Sequence, residues 1–496
     1  MRQTYEPLPF QPRMIDWLLG RSSAALFCSP GLGKTVTTLK AWHELYRDCE
    51  TRGMLVVAPI RVCTITWPKQ IERWDFCRGL TVANLRTAEG LRHWEQGTAD
   101  VYLINSELLA TRETKTKCPT CADGEKRPRA DCETCEAEGF IKRSYPGFVA
   151  KHIKGKKRHQ LPVDTLVIDE LSLAKNPSSK RFNALRHWTG HFDRVWALTG
   201  TPAPNSYDDL WAQIRFLDGG QRLGVTHGSF RQAHFHTVSV GLGSKYALKK
   251  GSKEAIEESI SDLCLTMLSE DYLDVPTCNY EDVEVALTGP AKSAYNQLKK
   301  QLLLDLETGQ IEALHAAALT NKLLQITGGA VYDSEREVHY IHDAKIKALR
   351  TLIGQHKGEP ILVLTQFKHE MKRILEAFPQ AQKFDEKNLD KWQANKIPIW
   401  VADPRSMSHG IDGLQESGRI AVWFTLTYSN ETYIQTNARL VRTGQSSETI
   451  IYRLVATGTI DEAVAEAIRE KGDQQQGLFE ALKNLQMMEQ VERKAK

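Results

Sequence analysis

Residues 28 to 35, CSPGLGKT, follow the apolar run AALF and carry most parts of a phosphate-binding loop. Gly31 and Gly33 allow backbone N–H groups to approach an anion closely. Lys34 offers a point charge to β- and γ-phosphates, and the Thr35 hydroxyl can ligate Mg²⁺. Cys28 stands where the usual pattern has its first glycine, a position that starts the loop without touching the transferred phosphate. A second group is TLVIDELSLAKN, an apolar strand that ends in Asp169 and Glu170. Here Asp169 would hold Mg²⁺ while Glu170 orients and deprotonates a water. The same pair could instead cap a helix and charge its first turn, and only the nearby loop favours the chemistry. The third group is C-x2-C, ten residues, C-x2-C, formed by Cys118, Cys121, Cys132 and Cys135. Thiolates at this spacing can close a tetrahedral Zn²⁺ site, and four of them leave no position for water, so the role would be structural. Four free thiols in a flexible loop is the plain alternative.

Short apolar runs must position these groups: AALFCS, MLVVAP, VYLIN, TLVIDE and VWALTGT, then ILVLTQF, IPIWVAD, IAVWFTL and IIYRLVA. Rich in β-branched and aromatic residues, they read as strands buried on both faces, the pattern of parallel sheets. Helical stretches separate many of them, which predicts doubly wound α/β folding. The runs fall into two sets, residues 24 to 201 and 361 to 456, with helical patterns such as KEAIEESISDLCLTML between them. Near the end, TIDEAVAEAIREK opens with Thr459 and has Glu462 three places on, a capping-box signature.

At 496 residues the chain needs two or three domains. Charged residues make up 25% and apolar ones 41%, as in soluble globular proteins. No stretch has the apolar length of a membrane span, and the start lacks a secretory signal core, so a cytoplasmic location without membrane attachment is expected. Of the ten cysteines, six are scattered, which is no disulfide framework and suits a reducing compartment. Net charge is only +4, yet KHIKGKKRHQ (151 to 160) and KYALKKGSK (245 to 253) concentrate positive charge. Such runs fit either a solvated face or a polyanion path.

In order along the chain, the segments resemble those of superfamily 2 helicases, and within them the Swi/Snf-like translocases and their phage relatives. LPFQPRMIDWLL is similar to the glutamine-containing segment that recognises adenine, with Gln11 at the matching position. CSPGLGKT resembles a first motif that often lacks its leading glycine, and implies nucleotide contacts at Pro30, Gly31, Leu32, Gly33, Lys34 and Thr35. LVVAPIRVCTITWPKQIERW, VYLINSELL and VIDELSLAKNPSSKR resemble motifs Ia, Ib and II. Ser172 departs from the family, which often has a histidine there that couples hydrolysis to DNA binding. ALTGTPAPNS resembles motif III through Thr199, Gly200, Thr201 and Pro202, and SHGIDGLQESGRIAVWF resembles motif V through Gly410, Gly413 and Leu414. QTNARLVRTGQ reproduces the Q-x3-R-x2-R-x-G-Q spacing of motif VI with Gln435, Arg439, Arg442, Gly444 and Gln445. Two arginines three apart on a helix would face one way and grip phosphate oxygens opposite Lys34.

The resemblance implies two RecA-like doubly wound domains with helical protrusions and a zinc-binding insertion. The first would span 1–275, with the insertion at about 111–160 and a protrusion at about 222–275. The second would span 276–478, with a protrusion at about 288–340, before a C-terminal helix at 479–496. It implies ATP and Mg²⁺ as ligands and DNA as partner, gripped on its backbone near Ser106, Thr199, Gly200, Thr201, Gly410 and Gly413. ATP-driven movement on DNA, in a bacterial host cell if the protein is of phage origin, is the expected activity. An RNA helicase and a zinc-containing nucleic-acid scaffold with little ATPase activity are the alternatives. The insertion's basic flank, with Arg127, Arg129, Lys142 and Arg143, is expected to contact DNA.

Overall fold

The computed structural model describes residues 2–118, 132, 140–186, 188–240, 243–274, 276–307, 313–407, 411, 413–442, 445 and 447–495. Seven strands form a first sheet: β1 (Ser23–Cys28), β2 (Met54–Ala58), β3 (Val82–Asn84), β4 (Val101–Asn105), β5 (Thr165–Asp169), β6 (Arg194–Thr199) and β7 (Cys264–Met267). Their spatial order is β7-β1-β6-β5-β2-β4-β3, parallel throughout. Alternation along each strand feeds two cores. Phe27, Leu55, Val57, Leu166 and Ile168 pack on one face, while Leu26, Val56, Val167, Trp196 and Leu198 pack on the other. Burial on both faces explains why these strands read as unbroken apolar runs.

A second parallel sheet contains β8 (Cys278–Val285), β9 (Ile361–Leu364), β10 (Ala381–Lys383), β11 (Ile399–Ala402), β12 (Ile420–Trp423) and β13 (Thr449–Ala456), in the order β8-β13-β12-β9-β11-β10. Leu362, Leu364, Trp400 and Trp423 face one core, and Ile361, Val363, Val401 and Val422 the other. The fold is therefore α/β with two parallel, doubly wound sheets, and every apolar run singled out in the sequence is a strand.

Two edge strands depart from the sequence reading. KEAIEESISDLCLTML is helical only over Ser252–Ile260, after which Cys264–Met267 joins the first sheet beside β1. A four-residue strand, three of its residues apolar, directly after a helical pattern carries too little periodicity to separate the two. The segment around 222–275 also contains an antiparallel hairpin, Phe235–Val240 with Gly243–Leu248, so it is not wholly helical. Strand β8 is mostly exposed and charged, hence invisible as an apolar run. Within 288–340, helices Pro290–Glu307 and Ala313–Thr327 precede a small hairpin, Ala330–Tyr332 with Val338–Tyr340.

Helix Ile460–Ala495 runs on far beyond the capping segment. Val464, Ala465 and Ile468 belong to the second sheet's core, whereas Leu478 and Phe479 are buried in the first domain's core. The last helix thus crosses from one domain to the other. No described helix is long and apolar enough to cross a membrane.

Candidate functional site

Three neighbouring strands of the first sheet, β1, β6 and β5, deliver their C-terminal ends side by side. The loop after β1 turns through Gly31 (φ 92°) and Gly33 (φ 81°), the left-handed backbone that glycine adopts freely. Gly33 is the N-cap of helix Lys34–Arg47, so the helix N-terminus faces the loop's concavity. Cys28 is the last residue of β1 and its side chain is fully buried. It contributes its carbonyl oxygen, which accepts from Lys34 Nζ at 2.7 Å, and Ser29 O accepts from the same amine at 3.3 Å. An extended residue with an inward side chain suits that place, which is why glycine is dispensable.

A cleft of about 450 Å³ opens between the two sheets. Its walls include Pro30, Gly31, Gly33, Lys34, Thr35, Asp169, Glu170 and Gly200 from the first domain, and Gln415, Gln435, Arg439 and Arg442 from the second. Arg439 and Arg442 do not share a helix. Helix Asn430–Asn437 ends before them and the chain leaves in turns, while the Asn437 amide oxygen accepts from the Trp423 indole at 3.0 Å. The turns nevertheless bring both guanidiniums to the cleft. Their backbone anchors are Ile411 O for Arg439 Nη1 (3.3 Å) and Ala438 O for Arg442 Nε (2.9 Å).

Charge in this cleft is strongly coupled. Burial pulls the Lys34 ammonium below its ordinary range, against the opposing pull of Cys28, Glu170 and Asp169. Burial likewise raises Asp169, whose Oδ2 accepts from Trp67 Nε1 at 2.8 Å. Trp67 itself is fully buried at the start of helix Trp67–Arg73, just after a π-helical turn, Val62–Thr66. Glu170 is pushed up to about 7, by burial first and the nearby Glu431 carboxylate next. Its backbone is left-handed, φ 66° and ψ 69°, a costly conformation for a non-glycine residue and one that clusters at functional sites. Glu170 Oε1 accepts from Thr199 Oγ1 at 3.0 Å and lies 3.1 Å from Ser172 Oγ.

The other anticipated residues fall in several places. Gln11 lies behind the loop: its Nε2 donates to Leu32 O at 3.2 Å, and its Oε1 accepts from Tyr5 OH and Leu8 N. Leu32 points into the core rather than the cleft. Ser106, Thr199 and Thr201 are each 1% exposed or less. Their side chains lie beneath the surface, and Thr199 touches Glu170 instead of facing outward. Gly413 adopts φ 96° and starts the turn Leu414–Glu416. Gly410 and Gly444 lie outside the described residues, as do Cys121, Cys135, Arg127 and Arg129. Cys118 and Cys132 are buried with their sulfurs 3.8 Å apart. No group of three or more potential metal ligands occurs among the described residues. Antiparallel strands Arg112–Lys117 and Phe140–Tyr145 form the stem that carries this cysteine segment.

Contacts between the domains were missed by the sequence reading altogether. Glu431 of the second domain accepts from Ser172 Oγ at 2.5 Å and from Lys175 Nζ at 2.7 Å. Arg61 pairs with Glu386 and donates to Ser406 O at 2.9 Å. Nothing local in the sequence signals either, since the partners are hundreds of residues apart.

Similarity to known proteins extends over most of the chain. Protein p41 of Acyrthosiphon pisum secondary endosymbiont phage 1 is 31% identical over 498 residues, covering 97% of this chain and 99% of its own. The CHD3-type chromatin-remodeling factor PICKLE of Arabidopsis thaliana is 24% identical over 476 residues, covering 89% of this chain. Chromodomain-helicase-DNA-binding protein 1 of Homo sapiens is 22% identical over 493 residues, covering 92%. The chain spans only 32% and 25% of the lengths of these two relatives. Among solved structures, the Sulfolobus solfataricus SWI2/SNF2 ATPase core in complex with dsDNA aligns over 94% of this chain and 92% of its own, with 20% identity and a TM-score of 0.41. Residues 10–328 match the SNF2-related domain, and the chain belongs to that family.

Proposed function

We propose that the protein is a DNA-dependent ATPase that moves along or remodels DNA. The observation that carries this reading is the shared cleft: Lys34, Asp169 and Glu170 on one wall face Gln435, Arg439 and Arg442 on the other. Thr35 and Asp169 would hold Mg²⁺, whose chemistry is to neutralise phosphate charge. The indole that grips one oxygen of Asp169 orients the carboxylate for that task. Water would form the new bond to the γ-phosphorus, the bond to the bridging oxygen would break with its electron pair going to ADP, and Glu170 would take the water's proton. Gln11, hydrogen-bonded to the loop backbone, would tie adenine recognition to the phosphate loop.

DNA as the track is supported by family membership and by the basic flank of the insertion. Lys154, Lys156 and Lys157 are exposed on that flank. ATPase rates with duplex, forked and four-way DNA, set against duplex and single-stranded RNA, test the choice: stimulation by RNA alone would overturn it. Replacing the three lysines by alanine should flatten the dependence of log affinity on log salt by up to about 2.7, near 0.9 per lost phosphate contact. An unchanged slope in a filter-binding titration would remove this flank from the DNA path. The phage relative of matching length supports phage DNA transactions as the setting.

The cysteine segment is proposed to hold structural zinc. Zn–S bonds of about 2.3 Å in a tetrahedron set neighbouring sulfurs about 3.8 Å apart, which is the separation of Cys118 and Cys132. Purified protein should contain one zinc per chain by elemental analysis, and Cys118→Ser should lose it. Wild-type protein without bound zinc would exclude the site.

A further inference from the structure

A bound nucleotide has a base to place as well as phosphates, and the glutamine expected to read it lies behind the loop. Gln11 is 4% exposed and is not among the residues that line the cleft. Both lone pairs of its Oε1 are filled, by Tyr5 OH at 2.8 Å and Leu8 N at 3.0 Å. The cleft that holds Lys34 is instead lined by Gln70, Arg73 and Trp74, from the end of helix Trp67–Arg73 and the residue after it. Arg73 is the exposed layer, its guanidinium carbon 4.6 Å from the ring centroid of the half-buried Trp74 indole. Arg73 Nε donates to Gln3 Oε1 at 2.7 Å, which fixes the guanidinium plane. The indole is fixed in turn. Its Nε1 donates to Gln70 Oε1 at 2.8 Å, and its ring meets that of Tyr5 edge-on at 5.3 Å. Tyr5 holds Gln11, and Gln11 holds Leu32 O, so this pair is linked to the phosphate loop from behind.

We propose that Arg73, backed by Trp74, is the platform on which the nucleotide base stacks, and that the site selects purines without telling adenine from guanine. A flat guanidinium on an aromatic ring offers a broad face, and a two-ring base covers more of it than a pyrimidine does. Gln70 turns its amide oxygen to the indole, and no hydrogen bond among the described residues uses its amide hydrogens. It therefore presents donors. Purines answer with N7, an acceptor that adenine and guanine share and pyrimidines lack. Separating the two purines calls for an acceptor opposite the adenine amino group, and the Gln11 oxygen is already full. This inference rests on the ATPase reading above and names the substrate class of that same site, purine nucleoside triphosphates.

The test is calorimetric binding of ADP, GDP, CDP and inorganic pyrophosphate to the full chain with Mg²⁺, which probes the base without hydrolysis. ADP and GDP should bind within about fivefold of each other, and CDP about tenfold more weakly, the scale of reduced stacking and a lost hydrogen bond. Arg73→Ala should weaken ADP and GDP about tenfold, as for one lost stacking partner, with pyrophosphate within about twofold. Arg73→Lys keeps the charge but not the flat face, so it should bind ADP as weakly as Arg73→Ala. Gln70→Leu should weaken ADP and GDP about fivefold and leave CDP unchanged. An Arg73→Ala protein that loses pyrophosphate as much as ADP overturns the platform, as does an Arg73→Lys protein that binds ADP like wild type, since either makes Arg73 a phosphate contact. CDP bound as tightly as ADP, or GDP outside its fivefold range, overturns the purine selection. Lys34→Ala run in parallel keeps the two readings apart. If pyrophosphate binding does not depend on Lys34 the ATPase site itself is wrong, whereas Lys34-dependent binding with ADP indifferent to Arg73 refutes only the platform.

Discussion

Lys34→Ala is expected to abolish ATP hydrolysis, lowering kcat/KM by about a thousandfold or more. The ammonium is held at the floor of the cleft by the carbonyl oxygens of Cys28 and Ser29, at 2.7 and 3.3 Å, and it is the loop's only side-chain cation. In a desolvated site a preorganised charge aimed at developing negative charge contributes roughly two to three powers of ten, and binding adds more. Lys34→Arg should fail too. The guanidinium is wider and planar, and its fork does not reproduce the compact ammonium that the two carbonyls hold. Phosphate release measured with and without DNA checks both variants. Full activity in Lys34→Ala would show that the loop does not serve hydrolysis.

Arg439→Ala is expected to lower kcat by about a thousandfold while nucleotide affinity changes only a few-fold. The arginine belongs to the second domain but lines the same cleft as Lys34, and the two cations are close enough for Arg439 to depress the Lys34 ammonium. An arginine delivered across a cleft stabilises transition-state charge by three to five powers of ten in related phosphoryl transfers. Because the first domain supplies the phosphate loop, binding survives without it. Arg439→Lys should remain slow, since a point charge cannot replace a two-pronged donor. Single-turnover hydrolysis and equilibrium binding of a fluorescent nucleotide separate the two effects. A loss confined to affinity would contradict the assignment.

What the sequence disclosed and what it concealed differ by range. Lys34, Asp169 and Glu170 were legible because each sits in a local signature at the end of a buried strand, and parallel strands send such ends to one edge of the sheet. The strands themselves were legible from uninterrupted apolar runs. Edge strands Cys264–Met267 and Cys278–Val285 were not, because the first closely follows a helical pattern and the second is largely exposed and carries three acidic residues. Trp67 was visible as a motif residue, yet its hold on Asp169 spans 102 positions and left no local trace. The bond from Ser172 to Glu431 spans 259. The arginine pair lines the cleft, but turns rather than the expected helix aim it there.

The final helix adds a mechanical constraint. Leu478 in one core follows Ile468 in the other by ten helical steps, about 15 Å of stiff rod. Together with the passage from β7 to β8, the chain bridges the two halves at two separate points. Any change in the width of the cleft must be absorbed at these two crossings, since a helix resists stretching.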